Sequence, residues 1–222
     1  MNILTVKNLS HHYADGDQNR EVLKDINYKF DLGKLYTIAG PSGSGKTTFL
    51  SIIAGLDVQC SGEVIANGKT LKKSKLTKYR QKEVSIVFQS YNLITYLTAL
   101  ENVILSMEIS GDITNKKAIA TEKLLEVGLD EQKINRLVST LSGGEQQRVA
   151  IARSLATNPE LILADEPTGN LDTKTEKEII KLFKELATKK NKCVIVVTHS
   201  SALEKEADVN IKLNDGKFVG EW

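Results

Sequence analysis

Residues 40–47 read Gly-Pro-Ser-Gly-Ser-Gly-Lys-Thr, and this stretch decides the fold. It fits the pattern G-x-x-x-x-G-K-[ST], in which backbone groups cradle phosphate. Residues 34–39 before it are apolar and favour a buried strand, and residues 46–54 after it have apolar side chains at helical spacing. A strand, a glycine loop and a helix in this order form the context that the pattern requires. The stretch therefore predicts a nucleoside triphosphate site rather than a glycine-rich turn without a ligand.

The residue types of this loop suit the binding of phosphate and of a magnesium ion. Gly40, Gly43 and Gly45 let the backbone approach phosphate without a Cβ in the way. Successive N–H groups and the N-terminus of the helix attract the β- and γ-phosphates. Lys46 adds a mobile positive charge, and Thr47 offers a hydroxyl to Mg²⁺, which prefers oxygen ligands.

Length and composition narrow the class of protein. A chain of 222 residues forms one domain or a domain with a subdomain. The net charge of +2 is too small to indicate nucleic-acid binding by itself. The longest apolar runs, such as residues 161–164 and 194–197, are far shorter than the roughly 20 residues of a membrane helix. Residues 1–7 have neither a charged start nor a long apolar core, so we expect no signal peptide.

The two cysteines, Cys60 and Cys193, lack the spacing of a metal site. Cys193 opens an apolar segment and is predicted to be a buried packing residue. A disulfide between the two stays open at this level, although a reducing compartment is expected.

Alternation of predicted strands and helices at both ends of the chain predicts the fold class. Strands are predicted at residues 3–9, 22–32, 84–88, 161–164 and 194–198, helices at 75–82 and 173–190, and hairpin turns at 67–68 and 214–216. Residues 99–157 have a helical pattern that breaks near Gly111, Gly128 and Ser139. We therefore predict an α/β protein: a P-loop NTPase core with a mostly parallel sheet, an antiparallel β subdomain and an inserted helical subdomain.

A second group of polar residues follows two buried strands. Residues 161–167 form an apolar strand that ends in Asp165, Glu166 and a proline. At the carboxyl end of a strand Asp165 can hold Mg²⁺, directly or through water, and Glu166 can polarise the attacking water. A general base contributes roughly 10²–10⁴-fold to a rate. The alternative reading, an N-cap pair for the next helix, is disfavoured by the phosphate loop upstream. His199 follows the next strand and either bonds the γ-phosphate or is an ordinary surface residue, whereas His11 and His12 are predicted to be structural.

A second glycine motif, Leu-Ser-Gly-Gly-Glu at residues 141–145, opens a predicted helix. Ser142 is a good helix cap, and the N–H groups behind it form another anion site. Because one triphosphate is already held by the first loop, the second site suggests a two-fold dimer in which each helix end covers the partner's nucleotide. A capped helix without a ligand is the alternative.

Taken together, these motifs make the chain similar, over essentially its whole length, to an ATP-binding cassette (ABC) ATPase subunit. Tyr13 resembles the aromatic residue that stacks on adenine, and His199 resembles the switch histidine. Gln89 resembles the Q-loop glutamine, which coordinates the metal ion and water. Residues 40–48 resemble the Walker A loop, 141–146 the family signature, 161–166 Walker B with its catalytic glutamate, and 170–172 the D-loop, although the family more often has Ser-Ala before Leu-Asp.

The resemblance implies a working ATPase that uses ATP and Mg²⁺, with the following site residues. The implied catalytic residues are Glu166, His199, Gln89 and Lys46; the nucleotide-binding residues are Tyr13, Gly40, Ser42, Gly43, Ser44, Gly45, Lys46, Thr47, Thr48, Ser142, Gly143, Gly144 and Glu145; and the metal ligands are Thr47, Gln89 and Asp165. It also implies a single nucleotide-binding domain over residues 1–222, with an ATP-binding core at about 1–89 and 160–222 and a helical subdomain at about 90–159.

Residues 40–46, 53–57, 88–93 and 97–103 are similar to the macrolide-exporter and lipoprotein-release branch of that family. The branch implies an ATP-dependent homodimer at the cytoplasmic face of the cell membrane. It works with a four-helix integral membrane permease, with or without a periplasmic or extracytoplasmic adaptor, and with no nucleic acid. Alternatives are a regulatory, cell-division-like complex, an importer and, remotely, a soluble nucleic-acid ATPase, which needs a long coiled coil or a zinc insertion. The basic residues 69–82 are either a solvated helix face or a contact for anionic lipid headgroups.

Overall fold

The computed structural model describes residues 1–15, 18–111 and 113–221. Within these residues the chain forms two β-sheets and seven α-helices. The strands are β1 Asn2–Asp15, β2 Gln18–Asp31, β3 Leu35–Ala39, β4 Ser61–Ala66, β5 Lys69–Thr70, β6 Val84–Val87, β7 Leu161–Asp165, β8 Cys193–Val197, β9 Val209–Asn214 and β10 Lys217–Glu221. The helices are α1 Lys46–Ile53, α2 Leu76–Lys82, α3 Ala99–Ser110, α4 Lys116–Glu126, α5 Gly143–Leu155, α6 Thr173–Thr188 and α7 Ser201–Glu206.

The larger sheet has the strand order β10-β9-β3-β8-β7-β6, and five of its six strands run parallel. Side chains of β7 alternate between two hydrophobic cores, with Ile162 and Ala164 in one and Leu161 and Leu163 in the other. A parallel sheet covered on both faces needs apolar residues at nearly every position, which explains the continuous apolar runs in the sequence. The predicted α/β class with a mostly parallel sheet is confirmed.

The register of the parallel strands brings their carboxyl ends to one edge of the sheet. Val197 of β8 pairs with Ile38 of β3 on one side and with Asp165 of β7 on the other. The phosphate loop, the two carboxylates and His199 directly follow these three strands, so they lie at the edge where open α/β sheets bind ligands.

The smaller sheet is antiparallel, in the order β2-β1-β4-β5, as predicted for the β subdomain. Its first two strands are longer than the predicted segments 3–9 and 22–32. The reason is a series of bulges: the β1–β2 register shifts between Val6 and Leu9 and again between Leu9 and His11, and Asn8 has a left-handed backbone (φ 47°). Bulges interrupt the two-residue alternation while strand pairing continues, so periodicity alone ends the strand too early.

Helices α3, α4 and α5 pack on one another, and the breaks between them lie where the sequence predicted them. Gly111 ends α3, and Gly128 (φ 79°) follows α4. Helix α3 begins with a capping box between Thr98 and Glu101. Helix α7 was not predicted, because six residues are too few to show a helical period. None of the helices in the described residues has the length and apolar character needed to span a membrane.

Candidate nucleotide site

The phosphate loop is packed so tightly that two of its glycines cannot be replaced without movement. A Cβ at Gly40 would lie 2.0 Å from the Leu213 carbonyl oxygen, and a Cβ at Gly45 would lie 2.8 Å from the Val22 carbonyl oxygen. Gly45 is also the residue before α1, with φ 104° and no side-chain cap. The first N–H groups of α1 are therefore left without an intrahelical or capping partner, which suits an anion.

Lys46 is buried at the centre of this loop. Its ammonium donates hydrogen bonds to the carbonyl oxygens of Gly40 (2.8 Å) and Pro41 (3.0 Å). An ammonium has three donors, so a phosphate oxygen can take the third. Burial lowers the pKa of Lys46, and the nearby carboxylates of Glu166 and Asp165 oppose that shift.

A cavity of about 410 Å³ opens beside the loop and falls within the size range of ligand sites. Its lining residues come from the loop, α1 and the β1–β2 hairpin: Tyr13, Arg20, Val22, Gly43, Gly45, Lys46, Thr47 and Thr48. Within the loop, the buried Ser44 hydroxyl has no hydrogen-bond partner among the described residues, as expected where a ligand atom supplies one. The residues present thus fit a nucleotide polyphosphate with an aromatic contact from Tyr13.

Arg20 and Val22 were not predicted to belong to this site. Arg20 reaches it because it pairs with Tyr13 across the β1–β2 hairpin. No local pattern marks such a residue, and the pairing of the two strands would have been needed to find it.

Thr47 and Asp165 form an oxygen-rich pair that fits Mg²⁺. Asp165 ends β7, and the Thr47 hydroxyl faces its carboxylate. Burial raises the pKa of Asp165, while the Thr47 hydroxyl and the Lys46 charge favour its ionised form. Gln89 is exposed, and its amide nitrogen lies 3.2 Å from the point that a Cβ of Gly169 would occupy, beside the turn that follows Asp165.

Glu166 and His199 contact each other through two atoms of each residue. The Glu166 carboxylate accepts a hydrogen bond from the His199 backbone N–H (3.2 Å), and its other oxygen lies 3.5 Å from His199 Nε2. The Glu166 backbone is left-handed (φ 46°) and is fixed by a hydrogen bond from its N–H to the Val197 carbonyl (2.9 Å). A glutamate in this conformation is uncommon, and backbone strain of this kind clusters at functional sites.

Asp165 and Glu166 do not cap the following helix. Helix α6 is capped by Asp172, whose carboxylate accepts the N–H groups of Lys174 and Thr175. The N-cap alternative for the two carboxylates is therefore wrong.

The second glycine motif forms a capping box at the start of α5. Ser142 accepts the Glu145 N–H (3.4 Å), and the Glu145 carboxylate accepts the Ser142 N–H (2.8 Å) and pairs with Lys133. The Glu145 side chain therefore completes the N-terminal cap of α5. The N–H groups of Gly143 and Gly144 are first-turn groups without intrahelical partners and can bind an anion.

The structure gathers Tyr13, Gly43, Gly45, Lys46, Thr47 and Thr48 around one cavity and places Asp165 beside Thr47 and Glu166 beside His199. It does not bring residues 142–145 to this group. Among the described residues, no hydrogen bond or ion pair joins them to residues 40–48. Instead Gly144 lies against Thr175, and Gly143 lies beneath the Tyr91 hydroxyl.

A phosphate-binding loop that faces an oxygen pair suited to magnesium, at the carboxyl edge of a parallel sheet, defines the class of P-loop nucleoside triphosphatases. A second glycine motif on a separate helical part narrows this class. The family model described as ABC transporter matches residues 23–169, more than half of the chain, and the chain belongs to that family. It is an ABC ATPase, an enzyme that binds and hydrolyses ATP.

Relatives and solved structures cover nearly the whole chain. It is 48% identical over 220 residues to the ABC transporter ATP-binding protein YclH of Bacillus subtilis, covering 99% of this chain and 96% of that protein. It is 45% identical over 219 residues to the lipoprotein-releasing system ATP-binding protein LolD of Rickettsia felis, covering 96% of each. The ATP-binding cassette MJ0796 of Methanocaldococcus jannaschii is 44% identical over 228 residues. Its dimeric post-hydrolysis structure with ADP and Pi has a TM-score of 0.91 and 40% identity, and it covers 99% of this chain and 98% of that chain.

Proposed function

We propose that this chain drives an exporter or mechanotransmission complex: an ATP-dependent homodimer at the cytoplasmic face of the cell membrane, coupled to a four-helix permease. The observation that carries the dimer is the separation of two anion sites on one chain, the phosphate loop and the start of α5. The dimeric MJ0796 structure supports the same arrangement, and the similarity to LolD supports the branch. An adaptor outside the membrane fits the branch as well.

In this proposal each composite site takes residues from both subunits. Lys46 and the loop hold the phosphates, Thr47 and Asp165 hold Mg²⁺ with Gln89 as a further ligand, and Tyr13 stacks on the base. Glu166 is the general base. His199 orients the Glu166 carboxylate. Two contacts support this role: the hydrogen bond from the His199 backbone N–H and the approach of His199 Nε2 to the other carboxylate oxygen. Ser142, Gly143 and Gly144 of the other subunit close the site. Residues 1–89 and 160–222 form the ATP-binding core, and residues 90–159 form the helical subdomain.

The test of the two-site dimer uses Glu166→Gln, which removes the base and leaves the phosphate loop intact. We expect this variant to form a stable dimer with ATP and Mg²⁺, measured by light scattering after gel filtration, and to lose nearly all turnover. Adding Ser142→Asp keeps a good helix cap but places a negative charge against the partner's γ-phosphate, so the dimer should be lost. The matched neutral cap Ser142→Asn should dimerise like the parent. Monomers of Glu166→Gln at saturating ATP would overturn the two-site model.

Residues 89–97 are proposed to be the surface that contacts the permease. Tyr96 in this segment is 77% exposed, unusual for a large aromatic side chain. The Arg153 guanidinium of α5 donates hydrogen bonds to the carbonyl oxygens of Tyr91 (2.8 Å) and Asn92. The Tyr91 hydroxyl lies against Gly143 at the other end of α5. The segment therefore connects Gln89 at the nucleotide site with both ends of α5, the signature helix, which begins within the family signature at residues 141–146.

Capture of the partner tests the branch. Tagged Glu166→Gln would be extracted from native membranes in mild detergent with ATP, and the proteins bound to it would be identified by mass spectrometry. A four-helix permease with a large extracytoplasmic domain is the expected result. A permease with many helices would point to an importer, and a membrane protein tied to an extracellular enzyme would point to the regulatory alternative.

The basic residues 69–82 support a position at the membrane surface. They contain seven Lys or Arg residues and no acidic residue, and removing these seven charges from the net +2 leaves −5 for the rest of the chain. The apolar side of this segment is anchored by buried Tyr79, whose hydroxyl donates to the Ile53 carbonyl (2.8 Å), while its lysines are exposed. Helix α2 also lines a groove with α3 and with Arg153, the residue that hydrogen-bonds Tyr91 and Asn92. We propose that these lysines contact anionic lipid headgroups, at about 1 kcal/mol each.

Vesicle co-sedimentation tests this surface. The protein should bind vesicles that contain phosphatidylglycerol, should not bind neutral vesicles, and should be released at about 0.5 M salt. Lys73→Glu with Lys75→Glu should abolish binding, and Lys177→Glu with Lys181→Glu on α6 should not. Equal loss of vesicle binding in the two double variants would show that binding depends on the net charge of the protein and not on this surface.

A further inference from the structure

A thiol, an imidazole and a carboxylate lie in line beside the nucleotide cavity. The Sγ atom of Cys60 lies 3.6 Å from Nδ1 of His11, and Nε2 of the same ring lies 3.7 Å from Oδ2 of Asp57. The three residues come from the loop before β4, from β1 and from the turn after α1. Strand pairing brings them together, since the Cys60 N–H donates to the Ser10 carbonyl of β1 (3.1 Å).

The environment of His11 calls for an explanation. This residue is only 5% exposed, and its Nε2 has no hydrogen-bond partner among the described residues. Buried polar atoms of this kind are rare in native proteins. A proton on Nε2 is favoured by the Asp57 carboxylate, and the other ring nitrogen is then an acceptor that faces the thiol. Nδ1 is therefore placed to accept the Cys60 proton when the sulfur reacts, with the Asp57 carboxylate at the opposite side of the ring.

The backbone of His12 also contacts the sulfur. Its N–H points at Cys60 Sγ at 3.5 Å, where it can stabilise the anion that reacts, and its carbonyl oxygen, 3.6 Å from Sγ, accepts the hydrogen bond of the neutral thiol. Hydrogen bonds from backbone N–H groups to an anion are among the stronger ones in proteins. Cys60 is exposed, so a reagent in solution can reach the sulfur.

The same cluster holds Tyr13. The Tyr13 hydroxyl hydrogen-bonds Oδ2 of Asp57 (3.3 Å), and its ring meets the His11 ring edge-on with centroids 4.6 Å apart. Tyr13 also lines the cavity at the phosphate loop. A group attached to Cys60 would therefore disturb the residues that fix the orientation of this aromatic ring.

We propose that Cys60 is a His11-activated thiol that exchanges with low-molecular-weight disulfides and that the resulting adduct weakens nucleotide binding through Tyr13. In the exchange the Cys60 sulfur attacks one sulfur of the small disulfide, a new S–S bond forms and the old one breaks. The departing thiolate takes the proton held by His11. The reactivity of Cys60 is inferred from the contacts of its sulfur with His11 and His12. The effect of the adduct on ATP binding rests on the proposed role of Tyr13.

The second cysteine is a built-in control. Cys193 is fully buried in β8, and burial raises the pKa of its thiol. A buried neutral thiol is inert. In the folded protein, modification should therefore occur at Cys60 alone.

The reactivity is tested by the rate of iodoacetamide labelling at fixed pH, followed by mass spectrometry. His11→Gln should slow labelling of Cys60 by about tenfold, because the thiolate is the reacting species. His12→Gln, which changes the exposed neighbour, is the matched control and should label like the wild type. Asp57→Asn should also slow labelling. Because Asp57 is partly exposed, this variant tests the cluster even if His11→Gln, a substitution at a buried position, fails to fold. Equal rates in all four proteins would overturn the proposal.

The effect on the nucleotide is tested with oxidised glutathione. The wild type should take up one glutathione, bind a fluorescent ATP analogue at least about threefold more weakly, and recover fully with dithiothreitol, whereas Cys60→Ser should be indifferent to the disulfide. Unchanged affinity of the modified protein would overturn the link through Tyr13. Failure of the untreated protein to bind the analogue would instead count against the proposed function, and the labelling rates would still decide the reactivity of Cys60.

Discussion

Helix α5 contacts α6 where Gly144 lies against Thr175, and this contact leaves no room for a side chain at Gly144. A Cβ added at Gly144 would lie 2.5 Å from Thr175 Cγ2. Carbon atoms in contact are normally about 3.5–4.0 Å apart, so Gly144→Ala would create an overlap of about 1 Å. Thr175 cannot turn away freely, because its hydroxyl donates to the Asp172 carboxylate (2.6 Å) that caps α6.

The expected magnitude follows from two opposing terms. Overpacking of this kind costs about 1–3 kcal/mol. Replacing glycine by alanine in a helix contributes up to about 1 kcal/mol of stability in return. With the full propensity gain, we therefore expect Gly144→Ala to lower the free energy of unfolding by up to about 2 kcal/mol, or the Tm by up to about 8 °C at this chain length.

The matched background for this experiment is Thr175→Ser. Serine keeps the hydroxyl that binds Asp172 and removes the methyl group that collides; the next atoms, Oγ1 and Cβ, would lie 3.4 and 3.5 Å from the new Cβ, which is ordinary contact. In this background Gly144→Ala should be neutral or slightly stabilising, with a coupling energy of about 1–3 kcal/mol in urea unfolding. An equal effect of Gly144→Ala in both backgrounds would refute the reasoning and with it the position of the signature helix against α6.

Three further predictions concern the phosphate loop and the cap of α5. Lys46→Ala should weaken ATP binding in a fluorescence titration without unfolding the protein, and unchanged affinity would contradict its role. Gly40→Ala should lose both stability and ATP binding, because its Cβ would lie 2.0 Å from the Leu213 carbonyl oxygen; a crystal structure with an unmoved loop would contradict this. The Lys133 ammonium lowers the pKa of Glu145, so this pair stabilises the fold above the unfolded pKa of about 4.3 and loses its effect as pH falls through the lower folded value. Glu145→Gln keeps the capping box but should reduce stability at pH 7 more than at pH 3 in urea unfolding, and a pH-independent difference would contradict it.

The fold was predictable because its determinants are local. The apolar runs at residues 161–164 and 194–198, the glycine loop at 40–47 and the helix breaks near Gly111 and Gly128 can each be identified within a short window of sequence. Parallel strands then bring the segments that follow them to one sheet edge. Thus the proximity of Asp165 and Thr47 was implied by the sheet, before any contact was known.

The contacts near the nucleotide site that the sequence did not predict depend on strand pairing. Arg20 reaches the nucleotide cavity through its partner Tyr13 in the β1–β2 hairpin, and His11 meets Cys60 only because the segment before β4 lies along β1. Bulges shift that register, so no fixed spacing in the sequence relates the paired residues. His11 was predicted to be structural for this reason: its neighbours in the chain carry no sign of the thiol that it faces.

The connection between the two anion sites follows from the backbone of residues 89–92. Tyr91 and Asn92 both have left-handed φ angles (60° and 49°), a conformation that side chains disfavour and that surrounding contacts must hold. Arg153 supplies those contacts from the last turn of α5, while the Tyr91 hydroxyl lies against Gly143 in its first turn. The turn that follows Gln89 is therefore held by contacts with both ends of α5, and it continues into the exposed segment around Tyr96. In the proposed dimer, this connection is a mechanical route from Gln89 at one nucleotide site to the start of α5 at the partner's site and to the proposed permease surface.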